Sequence, residues 1–127
     1  MEGFCQCPLP YEGTYCEKDG RERFVGTWEG RKRCDGTTGG LRYRIWANDS
    51  LLLYMFIAGR FHGTNEETLG VRFLDAYKLF IPSQTLRDTP ILVSGYAEQR
   101  QDSLYLTLER QGGANRIDTC YWDLKRR

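Results

Sequence analysis

The chain has 127 residues, enough for one domain with a substantial core but not comfortably for two. Its formal net charge of +1 gives no strong overall field for nucleic acid or membrane, and no run approaches the roughly 18 apolar residues of a spanning helix. Eight Tyr, six Phe and three Trp are interleaved with Thr, Val and Ile, a composition that favours strands over helices.

The N-terminal segment, residues 1–18, carries Cys5, Cys7 and Cys16. Zinc fits poorly, because structural zinc sites use Cys-x2-Cys knuckles or nearby histidines, and the single histidine, His62, lies far along the chain. Met1-Glu2-Gly3 has neither a charged start nor an apolar run, so an export signal, if there is one, lies outside this sequence. Residues 19–23 complete a charged stretch, "EKDGRER", that reads as a linker.

From Phe24 onward the pattern is one short strand after another. The first runs from Phe24 to Cys34, with Phe24, Gly26 and Trp28 on one face. The turn "DGTTGG" leads to Leu41–Ala47, where Leu41, Tyr43 and Ile45 alternate with Arg42, Arg44 and Trp46. Asn48-Asp49-Ser50 is a turn that also fits a glycosylation sequon. Leu51–Ala58 is apolar on both faces and predicts a fully buried strand. Val71–Leu74 and Lys78–Ile81 form a hairpin that Pro82 ends. Ile91–Glu98, Ser103–Arg110 and Arg116–Leu124 complete the series.

About eight strands joined by turns predict an all-β antiparallel meander, and such apolar faces tend to close into a barrel over residues 24–127. Cys34 lies in the first strand and Cys120 in the last, which are neighbours only if the meander closes. A Cys34–Cys120 bridge would close a loop of roughly 85 residues and contribute about 4 kcal/mol by loop-closure entropy. Disulfides need an oxidising compartment, so the expected location is extracytoplasmic.

Two resemblances add to this. The spacing Cys5-x-Cys7-x8-Cys16, with Pro8 and the Tyr11-Glu12-Gly13 turn, resembles the C-terminal half of an EGF-like module. That resemblance implies a Cys7–Cys16 pair and an upstream partner for Cys5 that this sequence does not contain. "FVGTWEG" at 24–30 resembles the opening Gly-x-Trp of the calycins: lipocalins, fatty-acid-binding proteins and avidins. The resemblance implies that Trp28 plugs one barrel end beneath an Arg from a late strand, here Arg110 or Arg116. No residues match a biotin pocket. The whole chain is similar to small lipoproteins exported by Bacteroidetes-type bacteria. The shared features are the cysteine stub, Phe24-Val25-Gly26-Thr27-Trp28, Cys34, Ile81-Pro82-Ser83-Gln84 and Cys120. That likeness implies a lipid anchor upstream and a cell-surface or periplasmic location, and it names no substrate.

Catalytic motifs are missing: there is no Gly-x-Ser-x-Gly and no His-Glu-x-x-His, and His62 reads as a lone loop histidine. Glu66-Glu67 are adjacent, which on a strand sends them to opposite sides. No enzyme, metal or cofactor is expected. Trp28, Tyr43, Phe56 and Phe73 are candidates to line the barrel, as core or around a small apolar ligand. Trp46, Tyr54, Tyr96 and Tyr105 suit an exposed face for protein or glycan. Arg31-Lys32-Arg33 and Lys125-Arg126-Arg127 read as a solvated strand end and a tail, or as a site for an anionic partner if folding brings them together.

Overall fold

The structure, a computed structural model, describes residues 7–33, 41–48, 50–61, 66–86, 90–112 and 117–127. Eight antiparallel strands close into a barrel: β3 (Gly26–Arg33), β4 (Leu41–Ala47), β5 (Tyr54–Gly59), β6 (Glu67–Asp75), β7 (Lys78–Thr85), β8 (Leu92–Arg100), β9 (Ser103–Gln111) and β10 (Ile117–Arg126). Each pairs with its sequence neighbour, and β10 returns to pair with β3 from Tyr121↔Arg33 to Arg126↔Trp28. Closure gives each of the eight strands a neighbour on both sides, as the alternating apolar faces predict.

Ahead of the barrel, β1 (Tyr11–Glu12) and β2 (Lys18–Asp19) form a small ladder whose turn is cross-linked by Cys7–Cys16, with a Cα separation of 5.4 Å. The predicted linker at 19–23 is structured instead. A 3-10 turn, Gly20–Arg23, is capped by Asp19, whose carboxylate accepts from the Arg21 amide and holds the Arg21 guanidinium at 2.7 Å. Arg21 also donates to the carbonyl of Asn48, so charged residues that read as a solvated tether are instead docked, with Arg21 buried, beside the end of β4. The Arg21 contact holds the Asp19 carboxyl below its ordinary value.

Two other expectations are corrected. β5 begins at Tyr54, because residues 51–53 belong to the preceding turn. The strand then alternates normally, with Met55 and Ile57 inward and Phe56 outward, stacked on Trp46 at 5.5 Å. Phe56 therefore does not line the barrel. Pro82 does not end β7. It sits in a register shift between Ile81 and Gln84, where a missing N–H breaks no ladder bond. The Gln84 amide repairs the gap, accepting from the Gly70 N–H at 3.0 Å and donating to the Gly70 and Pro82 carbonyls.

Gly30 and Gly95 stand where a Cβ would run into the backbone of the next strand, at Asp123 and Thr107. Only glycine permits these two close approaches.

Candidate binding surface

The inside of the barrel is full. Trp28, Phe24, Phe73, Tyr43, Phe61 and Trp122 are each at most 2 % exposed. Phe24 meets Phe73 edge-on at 6.1 Å, and Tyr43, Phe61 and Trp122 form a second cluster with centroids 5.3–6.3 Å apart. The polar tips are satisfied. Trp28 Nε1 donates to the Phe24 carbonyl at 2.8 Å. Trp122 Nε1 donates to Tyr43 Oη at 2.5 Å, and that hydroxyl donates to the Arg60 carbonyl. Burial pushes the Tyr43 phenol well above its ordinary value, so it stays a donor.

Of the predicted lining residues, Trp28, Tyr43 and Phe73 are core and Phe56 is outside. Arg110 is inward and buried, pairing with Asp118 at 2.8 Å and donating to the Phe61 carbonyl, which fastens Phe61 over the end opposite Trp28. It is thus not the partner of Trp28. Arg116 lies outside the described residues. The guanidinium over Trp28 belongs to Arg126, 4.6 Å from the ring centroid. Arg126 also donates to the carbonyls of Val25, at 2.6 Å, and Arg23. Gly26, at φ +136°, gives the backbone turn that brings Val25 and Trp28 to Arg126, so the Gly-x-Trp string has a local physical reason. Cys5, Cys34 and His62 lie outside the described residues. Cys120 is fully buried and disulfide-bonded, one step beyond the last described β10–β3 pair, Tyr121↔Arg33. Glu66 is exposed and Glu67 buried, on opposite sides as strand geometry requires.

The grooves of the described surface lie on the outside. The β3–β10 pairing brings the two basic strings together, and strand alternation divides them: Arg31 and Arg33 point outward while Lys32 is buried. On β10, Tyr121, Asp123 and Lys125 point outward, alternating with buried Cys120, Trp122 and Leu124. A groove of about 620 Å³ runs along this junction between residues 29–33 and 123–127. A second, of about 360 Å³, adjoins it through Arg33 and Asp123 and reaches Tyr105, Thr107 and Tyr121. A third, of about 370 Å³, continues past Arg127 to Arg42 and Arg44.

The ion pairs on this face are selective. Asp123 lies opposite Arg31 in register but pairs with Arg33 at 3.2 Å. Glu29 lies opposite Lys125 but pairs with Arg42 at 2.8 Å and Arg127 at 3.2 Å. Arg31 and Lys125 are left without a carboxylate partner among the described residues. The face holds Arg31, Arg33, Arg42, Arg44, Lys125 and Arg127 against Glu29 and Asp123, with Glu66 at its margin. Since the whole chain carries only +1, the rest of the surface is net acidic.

No protein-family model matches the chain, and no curated protein matches it. The chemistry of the surface is therefore read from its own residues. The sequence strings gave the cations but not their company: Tyr121, Asp123 and Glu29 were missed. The signal was the two-residue period of β10, in which Tyr121, Asp123 and Lys125 share one phase.

Proposed function

We propose that this chain is a non-enzymatic, extracytoplasmic interaction module that engages a protein or glycan partner through the outside of its barrel. The observation that carries the reading is the contrast between a lumen packed with edge-on and tilted aromatics and closed over by Phe61 and Arg126 and an outer face with adjoining charged grooves. A carrier needs a concave, preformed apolar site of roughly 300 Å³ or more, and the described lumen is occupied by side chains. The calycin likeness is supported by Trp28 beneath Arg126 at the head of a closed eight-stranded meander. The Cys7–Cys16 loop, with Gly13 at φ +96° in its turn, supports the EGF-like reading of the stub. Disulfides at Cys7–Cys16 and Cys120 favour an oxidising compartment. On this reading the protein works as a lipoprotein of the cell surface or periplasm, anchored by an upstream lipid.

Native mass spectrometry of the protein purified from its own host tests the exterior reading. The expected result is the mass of the covalently processed polypeptide, its lipid included, with no small apolar ligand retained. A stoichiometric small apolar ligand, released only on unfolding, would establish the carrier alternative instead. Alkylation in denaturant at the moment of lysis, without reductant, tests location: Cys120 is expected to stay unmodified, and a Cys120 thiol alkylated under those conditions would place the protein in a reducing compartment.

A further inference from the structure

We infer that the groove across the β3–β10 junction binds an acidic oligosaccharide, one whose sugar units carry carboxylate or sulfate groups. The inference rests on the exterior-binding reading and names the ligand class of that surface.

Three observations converge on this chemistry. Arg31 and Lys125 lie diagonally across the β3–β10 ladder and both line the groove of about 620 Å³, with their facing carboxylates drawn off to other cations. Such a pair suits an isolated anionic group, which a guanidinium can hold through two parallel hydrogen bonds. Asp123 and Glu29 remain in the groove as acceptors, and sugar hydroxyls are the donors that satisfy them. Tyr121 is 51 % exposed and Tyr105 39 %, and both border the adjoining groove, where flat aromatic surface suits the apolar face of a sugar ring.

The same features disfavour other anions. A densely charged polymer such as a polyphosphate would press negative charge against Asp123 and Glu29. An acidic peptide that binds by adding a strand needs an edge strand, and each of the eight barrel strands already has a neighbour on both sides. An acidic glycan combines spaced charge, hydroxyl donors and apolar ring faces, and so uses all three parts of the groove.

The test is calorimetric titration of the intact protein with a short oligouronate, a sulfated oligosaccharide, a neutral oligosaccharide of the same length, polyglutamate and phosphatidylglycerol vesicles. Binding of at least one acidic sugar is expected, with the neutral sugar at least tenfold weaker. The double variant Arg31→Ala/Lys125→Ala should weaken acidic-sugar binding about tenfold or more and flatten its salt dependence. Tyr121→Ala should weaken it several-fold with the salt dependence unchanged, while melting temperatures confirm that all variants fold. Polyglutamate or vesicles binding as tightly as the sugars, with Tyr121→Ala silent, would overturn the glycan assignment in favour of a peptide or a membrane. Failure of every acidic sugar to bind would overturn it as well. Either result leaves the exterior reading standing, since only a ligand held in the lumen removes that.

Discussion

Single residues in this barrel do several jobs at once, which makes their loss measurable. Arg126 stacks on Trp28 and holds two carbonyls at the barrel entrance. Arg126→Ala is expected to cost about 2 kcal/mol in urea unfolding and to red-shift tryptophan emission as water reaches Trp28. Tyr43→Phe removes the acceptor of a buried indole N–H and the donor to the Arg60 carbonyl, and should cost about 1–3 kcal/mol with the fold intact by circular dichroism. Asp19 offers a pH test. Its carboxyl is depressed by Arg21, so its contribution is present above the ordinary carboxyl range and fades as pH falls through the folded-state value. Asp19→Asn should lower the urea midpoint near neutral pH, and the gap to the parent should close as pH falls below the ordinary aspartate range and through the depressed folded-state value. At this scale the sequence was readable wherever a residue's strand phase was clear. Trp28, Tyr43 and Phe73 were recognised as inward-facing, and all three are core. Phe56 was misassigned because Leu51 and Leu52 look like strand residues, whereas they lie exposed in a turn that resets the alternation. The Arg over Trp28 was sought on the wrong residue because Arg126 looks like part of a terminal charge cluster.

At the level of elements, the alternation of Leu41–Ala47 and Ser103–Arg110 carried the strands directly. The pattern failed where side chains replace backbone bonds. Pro82 reads as a stop, yet β7 passes through it because the Gln84 amide serves the carbonyl and amide of Gly70. Gln84→Ala should therefore cost about 1–2 kcal/mol and speed hydrogen exchange at the Gly70 amide, while an exposed neighbour such as Ser83→Ala should change little. The 3-10 turn was hidden for the opposite reason. Its residues are charged, and pairing with Asp19 and the Asn48 carbonyl helps make burial of the Arg21 guanidinium tolerable.

For the molecule as a whole, closure was the most legible property, because cysteines in the first and last predicted strands require those strands to meet. Cys120 is disulfide-bonded in the barrel wall. Non-reducing peptide mapping is expected to join the Cys120 peptide to that of Cys34, and reduction should lower stability by about 4 kcal/mol if the loop-closure account holds. A Cys120–Cys5 link would reassign the bridge to the stub. The charged face was legible only in part: its two basic strings were read as an anionic-partner site if folding joined them, but its carboxylates and tyrosines depend on which residues a non-local ladder sets together. Arg33 and Asp123, which join two of its grooves, are 90 positions apart in the chain. The groove consequently has no walls until the final strand docks on the first. A nascent chain that lacks β10 carries Arg31 and Arg33 but nothing to hold a partner with. Whatever occupies this groove meets only completed barrels, and by mass action it acts as a clasp on the last step of their assembly.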